Sequence, residues 1–159
     1  MELGKPKETD WLIHMDKINF ESGAVQSYLG ILQGVINRMA SNSAGCKTWC
    51  ITIVSAIVVI IAGKTNPAYV WVSLVPISLF LFLDSYYLGL EQRFRDSYNT
   101  FIKKLHSGEA EIEDVFIVNP GGSVWLTIEA TLKAALSQSA WPFYGLLLVM
   151  LGIVYKYIL

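Results

Sequence analysis

The chain has 159 residues, enough for one domain of ordinary size, yet 53% are hydrophobic, only 16% are charged, and the mean hydropathy is +0.45. Soluble domains carry about 25% charged residues, so the composition points to a membrane protein. A formal net charge of −1 excludes a chain-wide electrostatic case for nucleic-acid binding and leaves charge to be read segment by segment.

The first stretch, MELGKPKETDWLIHMDK, has neither the long apolar core nor the small-residue cleavage site of a secretory signal, and is expected on the cytoplasmic side. Lys5, Lys7, Trp11, His14 and Lys17 combine cations with flat rings, which single-stranded nucleic acid requires for its phosphates and bases. Glu2, Glu8, Asp10 and Asp16 dilute that charge, and a solvated terminus is the plainer reading. From Ile18 to Met39, apolar residues recur at spacings of three and four, including Val25, Leu29, Leu32, Val35 and Ile36. This predicts an amphipathic helix. Nothing beyond it breaks a helix except Gly45, so one long rod is expected to run into the following apolar stretch.

A membrane-crossing helix needs about 20 mostly apolar residues, and three stretches approach that: 46–63, 68–90 and 140–159. Only KTNP, residues 64–67, separates the first two, so a helical hairpin is expected. Pro76 lies in the middle of the second stretch, where it is expected to kink the helix and is a candidate gate hinge. After the second stretch, EQRFRDSYNTFIKKLHSG continues helically and Gly108 ends it. VFIV at 115–118 has the composition of a short strand, NPGG reads as a turn, and Ser123 is placed to cap a further amphipathic helix with Val124, Ile128, Leu132 and Ala135 on one face.

Lys and Arg near the stretch ends set orientation. Arg38, Lys47, Arg93, Arg95, Lys103, Lys104 and Lys133 fall on one side, against Lys64 and Lys156 on the other. The expected topology has the N-terminus cytoplasmic, the hairpin tip outside and the C-terminus periplasmic. The expected fold is an all-α membrane protein with three transmembrane helices, cytoplasmic amphipathic helices and a short extended segment. Its parts are a cytoplasmic N-terminal segment with an amphipathic helix at 1–45, a transmembrane hairpin at 46–90, cytoplasmic helices with an acidic and NPGG connection at 91–139, and a C-terminal span at 140–159.

No catalytic set and no metal site converge in this pattern, and no cofactor is called for. Cys46 and Cys50, with no nearby His or further Cys, read as packing residues. Gly145 and Gly152 share a face of the third span and permit close helix approach, within the chain or between copies of it. Asp84 sits near the cytoplasmic end of the second span, about 22 Å beyond Tyr69 at 1.5 Å per residue. With Tyr87, Glu91 and Arg95 it defines a face leading from membrane into water. Asp84, Tyr87 and Glu91 are therefore candidates for a pore vestibule.

The wording NFESGAVQSYLGILQGVINRMASNSAGCKTWCITIVSAIVVIIA, followed by a hairpin and LDSYYLGLEQRFRDSYNTFI, resembles small bacterial membrane effectors of the SLATT type over roughly residues 17–106. The added third span is similar to the transmembrane effectors of Hailong defence systems. The resemblance implies a homo-oligomer, a tetramer by the Hailong pattern, in the bacterial inner membrane, acting as an ion channel in anti-phage abortive infection. It also implies a partner nucleotidyltransferase whose nucleotide or single-stranded DNA oligomer gates or inhibits the channel. A non-conducting membrane scaffold or assembly subunit is the alternative expectation, and a membrane-bound enzyme is disfavoured.

Overall fold

The computed structural model describes residues 21–62 and 67–157. Four α-helices account for most of them: α1 (Gly23–Ile61), α2 (Leu74–Ser107), α3 (Val124–Ala135) and α4 (Trp141–Tyr157). Short 3-10 turns occupy Pro67–Ser73 and Ile112–Asp114. The all-helical expectation holds, and among the described residues there is no strand.

The expected rod is present as α1, one helix of 39 residues. Ser22 starts it, with its Oγ accepting the Val25 N–H at 3.2 Å and satisfying one of the orphan donors of the first turn. The helix passes through Gly45 unbroken, with open space where a Cβ would stand. α2 likewise extends well beyond its apolar part and stops where expected, at Gly108, whose φ of +72° suits glycine.

Two departures concern Pro76 and residues 115–118. Pro76 is the third residue of α2, directly after the 3-10 turn. Its missing N–H therefore falls at the join where 3-10 helix passes into α-helix, not in the middle of a regular α-helix. The expected strand at VFIV does not form: the 3-10 turn at 112–114 precedes it, and Phe116 adopts a φ of 69°. No neighbouring strand offers a ladder among the described residues, and the Ile117 carbonyl is taken by a side chain, the Tyr28 hydroxyl at 2.9 Å.

The chain divides into two compact units, one containing 21–36 and 94–121, the other containing 37–93 and 122–157. The first is organised around Tyr28, whose ring meets Phe101 edge-on at 4.9 Å and Phe116 at 6.0 Å. Val25, Leu32 and Leu105 are buried in the same unit, and Lys104 pairs with Asp114 at 2.8 Å.

The second unit has a core of Cys50, Val54 and Ile61 from α1, Val70 and Ile77 from the hairpin's return, and Ala140, Tyr144, Leu147 and Leu151 from the α4 end. Cys46 and Cys50 are buried free thiols, in keeping with a packing role. The most apolar windows of α1 and of the helical stretch Ala68–Ser107, which joins the 3-10 turn to α2, are only 22% and 28% buried. Trp49, Ile51, Val59, Ile60, Val75, Leu79 and Phe82 point outward, so the described residues of the chain do not enclose these helices. Both helices are long and apolar enough to cross a membrane, and an apolar exterior of this kind is compatible with a transmembrane protein. α4 has 17 residues, about 26 Å of helix.

Candidate functional site

Ser43 and Lys47 are one helical turn apart on α1 and therefore share a face. The hairpin brings that face against Asp84 of α2. Asp84 is 0% exposed, and the Lys47 ammonium straddles its carboxylate, 2.8 Å from Oδ1 and 2.7 Å from Oδ2. The Ser43 hydroxyl donates to Oδ1, and Lys47 also reaches Ser43 Oγ at 3.2 Å. A carboxylate in apolar surroundings carries a desolvation cost of several kcal/mol unless it is paired and hydrogen-bonded. Here both conditions are met by residues of one face of the preceding helix.

The apolar core continues directly from this cluster. Tyr144 of α4 is buried and donates its hydroxyl to the Phe80 carbonyl of α2 at 3.1 Å, four residues before Asp84. Made among the apolar side chains of this core, such a bond fixes α4 to α2 at one register, because a displaced buried hydroxyl would lose its partner. Polar anchors thus tie α1 to α2 and α4 to α2 at neighbouring levels.

Further along α2 the packing becomes close. A Cβ built on Gly89 would stand 3.0 Å from the backbone carbon of Ala130 and 3.0 Å from the nitrogen of Thr131, so α3 crosses α2 in near backbone contact. Arg93, one turn on, donates to the Thr127 hydroxyl of α3.

The expected site residues are distributed unevenly. The face of Asp84, Tyr87, Glu91 and Arg95 turns inward over most of its length: Asp84 and Glu91 are buried, Tyr87 is half-buried, and Arg95 alone is exposed. Within one chain, then, Asp84 does not open onto a vestibule. Lys47, counted in sequence only as a topology-setting charge, is its counter-ion, and Arg93, counted the same way, is a link to α3. The i, i+4 spacing of Ser43 and Lys47 puts them on one face, but their meeting with Asp84 depends on the register of the hairpin, which no local pattern sets. On α4, Gly152 has open space around it and Gly145 meets only Trp141 of its own helix. The packed residues of α4 are Tyr144, Leu147 and Leu151, so the glycines do not mediate close approach within the described chain. Lys5, Lys7, Trp11, His14 and Lys17 lie outside the described residues.

The arrangement has the chemistry of a charge-paired lock between helices. Among the described residues no group of three or more His, Cys, Asp or Glu side chains is placed to hold a metal. Comparison with protein-family models, with curated proteins and with solved structures finds no match.

Proposed function

We propose that the chain is the pore-forming subunit of a homo-oligomeric membrane effector, of the SLATT type and akin to Hailong effectors, whose conductance is governed by a nucleotide or DNA oligomer. In this reading α1, α2 and α4 span a bacterial inner membrane with the N-terminus inside, and a nucleotidyltransferase supplies the signal. The observation that carries it is the buried Asp84–Lys47 pair inside a hairpin whose exterior is apolar. Ionisable residues among spanning helices characteristically line or gate ion pathways. Three helices are too few to enclose a hydrophilic path, whereas four copies would place twelve around an axis. The Gly145 and Gly152 face of α4, which no other helix occupies among the described residues, is available for such copies.

Lys5, Lys7, Trp11, His14 and Lys17 are the proposed oligonucleotide contacts, and changing Lys5, Lys7 and Lys17 to Glu is expected to weaken binding and alter toxicity. The decisive experiment is conductance of the purified protein in planar bilayers, with and without nucleotide fractions from expressing cells, alongside the mass of the solubilised complex. Discrete currents are expected in one of the two states. Flat traces in both would overturn the pore and leave the second reading, a non-conducting scaffold, which is favoured by the closure of Lys47 over Asp84 within a single chain.

A further inference from the structure

α3 carries three distinct faces. Ala130, Thr131 and Ala134 turn inward, and the first two meet Gly89 of α2. Glu129 and Lys133 form an exposed ion pair at 2.6 Å. The remaining face is apolar and bare, with Val124 75%, Trp125 77%, Leu132 65% and Leu136 81% exposed, and Ile128 between them. Of the four residues expected to share a face, Val124, Ile128 and Leu132 are exposed together and Ala135 is half-buried, so that face points out of the unit while the small residues Ala130, Thr131 and Ala134 point in.

The position of α3 identifies what covers it. Gly89 lies five residues beyond Asp84, about 7.5 Å further along α2, at the end where the apolar part of that helix gives way to Glu91, Arg93 and Arg95. Arg93 bonds Thr127 of α3 at this level. At its other end α3 is tied to α4 by a tight turn, in which the N–H groups of Ala140 and Trp141 both donate to the Ser137 carbonyl at 3.2 and 3.0 Å. Ala140 is already part of the apolar core. α3 is therefore held where α2 leaves its apolar region and α4 begins its own. Its 12 residues, about 18 Å of helix, are too short to cross a hydrocarbon core of roughly 30 Å. A short helix at that level, with a broad apolar face, a Trp on that face and an ion pair beside it, has the composition of one lying in a bilayer surface.

We infer that α3 is an interfacial helix whose Val124, Trp125, Ile128, Leu132 and Leu136 face inserts into the lipid headgroup and acyl boundary of the leaflet at the Asp84 end of the hairpin. This rests on the membrane-inserted reading above and is independent of whether the protein conducts. It gives the protein a lever in the bilayer surface, coupled through Gly89 and Arg93 to the helix that carries Asp84.

The test uses the full chain in nanodiscs made with phospholipids brominated at shallow or deep acyl positions, compared with the same chain carrying Trp125→Phe. The difference between the two emission signals belongs to Trp125. It is expected to be quenched at least twofold more by shallow bromines than by deep ones, and to resist aqueous acrylamide. If Trp125 escapes both bromine positions while the remaining emission, from Trp49, Trp71 and Trp141 among others, is quenched, the inference falls. Quenching of Trp125 by acrylamide would then mean a bare face, and shielding from acrylamide a protein covering. If no emission is quenched by brominated lipid, the membrane-inserted reading fails and the inference with it.

Discussion

The Lys47 ammonium stands 2.7 Å from Asp84 Oδ2, and the carboxylate it holds is wholly removed from solvent. Breaking a buried pair by removing one partner costs about 3–5 kcal/mol, because the other charge is left uncompensated, whereas replacing both with apolar residues is often neutral. Asp84→Leu or Lys47→Leu alone is expected to lower the unfolding midpoint of the detergent-solubilised protein, and the double replacement to recover most of the loss. Additive losses in this double-mutant cycle would show that the two side chains are not coupled. In bilayers, Asp84→Asn is expected to change the conductance of an assembled pore; unaltered conductance and selectivity would confine Asp84 to holding the hairpin.

Gly89 is the position where α2 admits the backbone of α3. A methyl group there would stand 3.0 Å from Ala130 and Thr131 backbone atoms, which cannot rotate away. Overpacking of this kind costs about 1–3 kcal/mol, more than the ~1 kcal/mol that Gly→Ala contributes within a helix. Gly30 on α1 has open space around it and provides the opposite case. Thermal unfolding is expected to rank Gly30→Ala above the parent and Gly89→Ala below it. Equal midpoints for Gly89→Ala and the parent would mean that the α2–α3 crossing is looser than the geometry requires.

The helices were legible because their signals are local: the three-and-four spacing of Val25, Leu29 and Leu32, the uncharged run after Lys47, and Gly108 as a stop. The lock was only half legible. Asp84 stands out in an apolar run, but its partner depends on the register of the hairpin, which no local pattern sets. For α3 the spacing of Val124, Ile128 and Leu132 identified the apolar face correctly and said nothing of its direction. Small residues packing against Gly89 reversed the usual apolar-inward arrangement. The strand expected at 115–118 followed the β-propensity of Val, Phe and Ile, and lost to tertiary context, since strand propensity counts only where a neighbouring strand is available.

The Lys104–Asp114 pair predicts a defined pH response in the first unit. The Lys104 ammonium holds the Asp114 carboxyl below the usual carboxylate range, and the hydrogen bond from Lys104 to Asp114 raises the lysine. A depressed carboxyl contributes stability that is present above its unfolded value, near 3.9, and lost as pH falls through the folded one. A raised lysine contributes stability present below its unfolded value, near 10.4, and lost as pH rises through the folded one. Hydrogen exchange in 111–118, corrected for intrinsic rates, is thus expected to show constant protection across neutral pH and a loss in acid beginning below about pH 4. Asp114→Asn should reduce protection at neutral pH and flatten the acid limb. Because the pair is partly exposed, added salt should narrow the difference between parent and variant.

The contact of Tyr28 with the 115–118 segment separates two energies in one side chain. Tyr28→Phe keeps the ring against Phe101 and Phe116 but removes the donor to the Ile117 carbonyl, a loss of about 0.5–1.5 kcal/mol. Tyr28→Ala also deletes the buried ring, a change that costs about 3–5 kcal/mol for large aromatic side chains. Burial and the nearby Asp114 charge raise the Tyr28 phenol above its ordinary value, so the hydroxyl remains a donor through neutral and moderately alkaline pH. Phe116 bears on the same contact, since a φ of 69° is unfavourable for a side chain with a Cβ and its ring must be held by what it packs against. Limited proteolysis is expected to cut near 115–118 slightly faster in Tyr28→Phe and much faster in Tyr28→Ala. Equal cleavage of parent and both variants would show that the segment is held by something other than Tyr28.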